Sequence, residues 1–481
     1  MVERKKPKIA ILGTLDTKEV EGFFLRERIK AYGGESILIN MALKEYKPKL
    51  GTPDICNTEV AKAAGSSIEE ISKLGRAEAQ EIMAKGALKI LNEMIEKGEL
   101  DGVIGYGGSV GLVLHGTILR ELPMFMPKYL VTTLASEAGH HVAGKDVRIW
   151  WSISDIAGGE KINIIEAEVF NRAAAAIVAE ANPQPSPVEK KPVILSTQFG
   201  NTTPHIIQAK NYLTGKGFDF IAFHAIGISG GYTMEELVRS KFAVGVLDVT
   251  THELVDEVAD GVLVASRGEK LRLTAAGEMG LPQLVTPACV DMVNFWAPET
   301  VPEKYKDRLF YEHSKGFITL MRTNADESYK VGKLMAERLN VAKGPTLVLF
   351  PLRGLSMDDT DPTIPDSPGV YCQVFKNGNL EFTKIPWWDP YYDKLVWKGL
   401  VDHLDLSKPN IDLVVVDYNI NDKECALFAA KTIEDMVNGT WKKGEYKHID
   451  ATKIVKDPES AFNKLIEEYK SKFPPKPDHP K

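Results

Sequence analysis

Short apolar runs alternate with longer amphipathic stretches along most of the chain, and each run is followed by a cluster of glycine, threonine, serine or aspartate. Residues 8–12 read as a buried strand ending in Gly13-Thr14-Leu15-Asp16-Thr17-Lys18. A helical pattern over 19–32 closes at Gly33-Gly34, and 36–41 is a second strand. This strand, loop, helix, strand order, with glycine just past the helix, opens a parallel α/β domain. The alternation continues with a helix over 69–97, a strand over 101–106 and the loop Gly107-Gly108-Ser109-Val110-Gly111. A further helix to Leu122, strands over 129–133 and 148–154, and an alanine-rich helix over 162–181 complete the first domain, residues 1–181.

Residues 182–191 read as a linker, because Pro183, Pro185 and Pro187 cannot continue a helix and favour an extended connector. The pattern then restarts. Strands are expected at 192–197, 220–224, 243–249, 283–285, 346–350 and 413–416, with glycines 227, 230 and 231 forming a second loop. The expected fold is therefore two Rossmann-like parallel-sheet α/β domains in tandem, the second spanning 192–472. Residues 357–384 interrupt it as an irregular or hairpin insertion, since Pro365, Asp366, Pro368 and Asn377-Gly378 are turn signals. The proline-rich end, 473–481, reads as a disordered tail.

Composition narrows the class of function. A chain of 481 residues exceeds what one core usually organises. Its net charge of -7, with signs mixed, argues against a nucleic-acid surface. No stretch approaches the roughly 18 apolar residues of a membrane span. The four cysteines, Cys56, Cys289, Cys372 and Cys425, form no CxxC pair, so a structural zinc site is not expected and a reducing, cytoplasmic setting is. Cys289 lacks a neighbouring base and reads as a buried, inert thiol.

The glycine loop between strand and helix is where chemistry is expected first. Gly107, Gly108 and Gly111 let the backbone approach an anion, Ser109 adds a hydroxyl, and the helix supplies free N–H groups and a positive dipole end. Gly13, Thr14, Asp16, Thr17 and Lys18 form the partner loop: hydroxyls for phosphate, an ammonium for charge, a carboxylate for metal or ribose. The same Asp16 and Thr17 would also cap the helix that follows. Thr133 and Ser136 follow a third strand and line the same crevice, because ligands of open parallel sheets sit beyond the strands' carboxyl ends. His140 and His141, adjacent in sequence, point to different sides and make a poor metal pair; no metal site is expected.

In the second domain, His224, Asp248, Glu253, Asp291, Arg322 and Arg353 each follow a strand-like run. Carboxylates, histidine and arginines gathered at one sheet edge would suit a small, carboxylated substrate. Arg322 and Arg353 would clamp its carboxylate, Asp248 and Asp291 would bind it, and His224 or Glu253 would move the proton. His224, Asp248, Asp291 and Arg353 are expected to converge on one pocket facing the first domain across a cleft, with Arg322 at the rim.

Several of these segments together carry a family resemblance. Gly13 to Lys18, Gly107-Gly108-Ser109 and Ser154-Asp155-Ile156-Ala157-Gly158 resemble the tobamovirus-resistance-protein-like ATP-binding family, with its uncharacterised bacterial members. Phe223-His224-Ala225, Leu247 to Thr251, Asp291 to Phe295, Leu320 to Thr323, Pro351 to Gly354 and Asn419 to Asp422 extend the likeness over about residues 8–430. Here Ser109 is followed by Val110-Gly111-Leu112 where the family pattern has Gly-Gly-Thr. The resemblance implies ATP binding in the first domain, alone or with Mg2+, and self-association as a homodimer or larger homo-oligomer. The expected function is an ATP-binding metabolic enzyme acting on a small molecule. One alternative is an ATP-independent lyase or hydrolase using His140 or His141, and another is a nucleotide-dependent regulatory module without turnover.

Overall fold

The apolar runs of the N-terminal half become five parallel strands in the computed structural model, which describes residues 6–182 and 188–479. The strands are β1 (Lys8–Gly13), β2 (Glu35–Asn40), β3 (Gly102–Gly107), β4 (Lys128–Thr132) and β5 (Arg148–Trp151), in the order β2-β1-β3-β4-β5. Successive side chains of β1 face opposite ways. Ile9 and Ile11 pack with the helices Glu19–Ala31 and Ile164–Ala181, while Ala10 and Leu12 pack with Arg76–Glu96 and Ser109–Glu121. Because helices cover both faces, β1 and β3 are buried almost throughout.

Local differences from the sequence reading have packing causes. The helix expected over 69–97 is two, Ile68–Ile71 and Arg76–Glu96, the second starting at the N-cap Gly75. The helices Asn57–Ala63 and Ala135–Val142 were not foreseen. Gly86 explains one close approach: a Cβ there would lie 2.0 Å from the Val60 carbonyl oxygen, so only glycine lets Asn57–Ala63 lie against Arg76–Glu96.

The chain divides into two compact units, 1–189 and 190–481; the prolines at 183, 185 and 187 lie outside the described residues. The second unit holds a six-stranded parallel sheet made of β6 (Val193–Gln198), β7 (Asp219–His224), β8 (Gly245–Thr250), β9 (Gln283–Ala288), β13 (Thr346–Pro351) and β16 (Ile411–Val416), in the order β16-β13-β9-β8-β6-β7. It also holds a sheet that the sequence reading missed. This is antiparallel and five-stranded, ordered β10-β12-β11-β14-β15 from β10 (Met292–Phe295), β11 (Phe310–Ser314), β12 (Ile318–Arg322), β14 (Tyr371–Lys376) and β15 (Asn379–Pro386). The expected insertion contributes its β14–β15 hairpin, turned by Asn377 and Gly378 at φ 49° and 81°.

The tail needs correction. Residues 473–479 are not loose: Lys476 is 2% exposed and its ammonium bonds Asp389 at 2.9 Å. Composition flagged the prolines, but the buried partner that fixes the segment lies nearly ninety residues upstream.

Candidate functional sites at two sheet edges

Both parallel sheets reverse their strand order at one place. In the first unit this lies between β1 and β3, in the second between β6 and β8. The loops leaving the two strands run to opposite faces there and open a crevice beyond the carboxyl ends.

At the first-unit crevice, the helix Ser109–Glu121 begins at Gly108, which has no side chain to bond the unpaired N–H groups of the first turn. Gly107 has φ 142°, and a Cβ at Gly111 would lie 2.7 Å from the Tyr106 carbonyl oxygen. These two glycines therefore seat the helix against the strand end. Gly108 is different: a Cβ there would meet only Thr133 Oγ1, at 3.6 Å. It faces open space bordered by Thr133. Ser109 is exposed, and so is Ser136, whose hydroxyl donates to Glu137 at 2.7 Å.

The partner loop is a tight turn. The N–H groups of Thr17 and Lys18 donate to the Thr14 carbonyl at 3.1 and 3.0 Å, and the Thr14 and Thr17 hydroxyls are 3.4 Å apart. Lys18 Nζ donates to the Ile156 carbonyl at 2.5 Å, drawing Ser154-Asp155-Ile156-Ala157-Gly158 over the loop. A Cβ at Gly158 would lie 2.0 Å from the Thr17 carbonyl oxygen. Asp16 and Thr17 are exposed at the crest, and partial burial raises the Asp16 carboxyl against the pull of the backbone and Lys18. Gly13 has an internal reason to be glycine, since a Cβ would lie 2.2 Å from the Tyr106 hydroxyl. His140 and His141 sit in the last turn of Ala135–Val142, at the end away from the Thr133–Ser136 loop.

The second-unit crevice is filled rather than open. Phe199, just after β6, stacks on His252, just after β8, with ring centroids 4.1 Å apart, and His224 meets the same ring edge-on at 5.5 Å. His252 is fully buried, which holds its imidazole well below the ordinary histidine range, whereas His224 is exposed and lowered less. Beneath the stack lies an internal charge network that the sequence reading did not find. Arg272 is 0% exposed and bonds Asp248 through both terminal nitrogens at 2.5 and 2.8 Å, Glu253 at 2.6 Å and Glu235 at 3.2 Å. Glu253 also accepts from the N–H groups of Gly227 and Gly231 at 3.1 and 2.9 Å, so the network ties the glycine loop to the end of β8. Burial pushes Glu253 up to about 6 despite Arg272.

The four residues expected to converge have four different partner sets. His224 lies on Phe199, and Asp248 binds Arg272 and, at 2.6 Å, the Thr197 hydroxyl. Asp291 accepts from Ser356 and the Trp387 indole at 2.9 and 2.7 Å. Arg353 is 48% exposed and pairs with Asp417 at 2.6 Å. Arg322, at the end of β12, is buried and donates to the Trp387 and Asp291 carbonyls, Thr323 and Asp359. Arg322 has no vacant fork left for a carboxylate, whereas Arg353 meets Asp417 through its Nε alone. Alternation and strand-end position are visible in a sequence; the partner that uses up a charge is not, and Arg272 sits in a stretch with no periodic signal.

Residues 7–186 match the N-terminal domain of an uncharacterised protein family, UPF0261, and 191–370 match that family's C-terminal domain. The chain belongs to the UPF0261 family. A UPF0261 protein of Clostridium tetani is 38% identical over 434 residues, covering 89% of this chain and 99% of that protein. One from Rhizobium meliloti is 35% identical, over 77% of this chain and 89% of the relative. The ToMV resistance protein Tm-1(GCR237) of Solanum lycopersicum is 30% identical over 74% of this chain and 49% of its own length. The Cys-free glycine loop and the Arg272 network thus belong to a UPF0261 chain with a tomato resistance protein among its relatives. Among solved structures, a putative UDP-N-acetylglucosamine 2-epimerase from Listeria monocytogenes aligns over 58% of this chain and 79% of its own, at 13% identity and a TM-score of 0.20. Among the described residues no helix is long and apolar enough to cross a membrane, and no three His, Cys, Asp or Glu side chains are placed so that they could hold a metal ion.

Proposed function

We propose that the first unit binds the phosphates of ATP at the reversal point between β1 and β3. The observation that carries this reading is Gly108: of the three loop glycines, it is the one whose missing side chain nothing in the protein fills. It stands at the uncapped start of a 13-residue helix, where N–H groups and dipole favour an anion. Ser109, Thr133 and the Thr14–Thr17 turn border the same edge and would hold phosphate oxygens. Lys18 would contribute charge on leaving the Ile156 carbonyl, and Asp16 would hold the ribose or a phosphate-borne Mg2+. When bound, ATP would supply a transferable phosphoryl group or a conformational signal.

The second unit supports a chemical role less specific than a carboxylate clamp. Its exposed His224, seated on Phe199, is the group free to carry a proton at that edge, while Glu253 and Asp248 act by holding the glycine loop in shape. Calorimetric titration of ATP tests the first-unit reading. The wild-type chain should bind, and Gly108→Ala, whose new methyl fits the free protein, should bind at least tenfold more weakly. Equal affinity in the two proteins, or no affinity in the wild type, contradicts it.

A further inference from the structure

The segment that follows β2 runs beside the first unit's partner loop. Asn40, the last residue of β2, pairs with Gly13, the last of β1, and the Met41 N–H donates to the Gly13 carbonyl at 2.8 Å. The two strands therefore release their loops side by side, one into Thr14–Lys18 and the other into residues 41–44. Two buried asparagines set the second path. Asn40, 1% exposed, accepts from the Ala42 N–H at 3.0 Å, and Asn57 donates to the Ala42 and Lys44 carbonyls at 3.1 and 2.7 Å. Beyond Lys44, the Tyr46 hydroxyl donates to Glu19 at 2.8 Å, and Glu19 also accepts from the Leu50 N–H. The backbone at Lys44 is thus held from both sides.

The two cations of this edge differ in what they already do. Lys18 donates its ammonium to the Ile156 carbonyl. Lys44 is exposed, and its ammonium enters no hydrogen bond or ion pair among the described residues. Its charge nevertheless reaches the partner loop: burial raises the Asp16 carboxyl, and Lys18 and Lys44 are the two cations that pull it back down. A buried donor is also left over here, since Asn40 Nδ2 meets no acceptor among the described residues. An unpaired cation and an unsatisfied donor at one edge are matched by an anionic acceptor from outside the chain.

The distance to the Gly108 helix start is short. Only β1 lies between β2 and β3, so the strands that lead to Lys44 and to Gly108 are two spacings, about 10 Å, apart. A lysine side chain reaching from one end and a chain of phosphates anchored at the other close that gap. A single phosphate held at Gly108 would leave most of it open.

Resting on the reading of the Gly108 edge as the phosphate site, we propose that Lys44 is the cation that neutralises the phosphate chain there, so that the site selects a nucleoside triphosphate over a monophosphate.

Calorimetric titration of the full chain with ATP and with AMP tests this. Lys44→Gln should weaken ATP binding about tenfold, the effect of losing one charge-assisted contact, and AMP binding by less than about threefold. Lys44→Arg, which keeps the charge, should stay within about threefold of wild type for ATP. Lys47→Gln, an exposed lysine of the same segment, should leave ATP affinity unchanged. The Lys44→Gln loss should shrink at high ionic strength, because the contact is exposed to solvent. Wild-type ATP affinity in Lys44→Gln, while Gly108→Ala still weakens binding, would overturn the role of Lys44 and leave the Gly108 reading standing. Equal losses for ATP and AMP, or an equal loss in Lys47→Gln, would overturn it as well. No ATP binding by the wild type would remove both readings. The wild type alone also decides: it should bind ATP about tenfold or more tighter than AMP, and equal affinities would overturn the proposal whatever the variants do.

Discussion

Replacing Arg272 with methionine removes the central cation from a site holding Asp248, Glu253 and Glu235, all at most 3% exposed, and leaves only Arg239, 3.8 Å from Glu235. The three carboxylates are not left equal. Glu235 keeps the N–H groups of Leu273 and Ala275 at 2.6 and 2.7 Å, and Glu253 keeps those of Gly227 and Gly231. Asp248 keeps only the Thr197 hydroxyl and loses both bonds to the guanidinium. Removing one partner of a buried pair costs about 3–5 kcal/mol, a large share of the roughly 5–15 kcal/mol that holds a domain folded. For a unit of this size the melting point should fall by about 5–8 °C. The sign of the pH dependence is fixed too. Burial already raises Glu253 and Glu235 in the presence of Arg272, and its loss raises them further, so the variant takes up protons on folding. Its deficit should therefore shrink as pH is lowered from 8 toward 5. Calorimetry of wild type, Arg272→Met and Arg272→Lys at both pH values measures this, with lysine intermediate because it keeps charge but loses the fork. A methionine variant within about 1 kcal/mol of wild type, or a deficit that grows at low pH, would refute the network's role.

Other outcomes follow from single contacts. Asp256 is fully buried, which pushes its carboxyl up to about 7 although it accepts from the Asn294 and Leu263 N–H groups. Stability from its protonated form is complete below about 4 and lost as pH rises through about 7, on the order of 4 kcal/mol; Asp256→Asn should flatten that slope in denaturant titrations. Gly111→Ala puts a methyl 2.7 Å from a backbone oxygen and should cost about 1–3 kcal/mol, whereas Gly108→Ala should cost less than about 1, both read from urea midpoints. Arg353→Lys alters an exposed pair and should change stability by less than about 1 kcal/mol, with a thermal melt as the check.

Strand positions were legible because a parallel strand buried on both faces must be a short apolar run, and both sheets appear where those runs do. The antiparallel sheet was not: of its strands only the run before Arg322 was read as strand-like, and β14 and β15 were visible only through the Asn377-Gly378 signal. The glycine loop was legible as a loop, but the division of labour within it was not. Gly13, Gly107 and Gly111 serve packing against Tyr106 and the strand end, and only three-dimensional proximity separates them from Gly108. In the second unit, charges at strand ends were correctly located yet misread as available. Asp248 and Glu253 are bound by Arg272, and Asp291 by Ser356 and Trp387, through contacts that join residues tens of positions apart. The tail failed for the same reason, since three prolines look disordered until Asp389 and the rings around it are in place.

A crystal structure of the wild-type chain grown with Mg2+ and a non-hydrolysable ATP analogue tests the central claim most directly. The account predicts phosphate oxygens within hydrogen-bond distance of the Ser109 and Val110 N–H groups, with Thr133 and the Thr14–Thr17 turn alongside. A nucleotide bound elsewhere, or a Gly108 edge holding only water under saturating analogue, would contradict it.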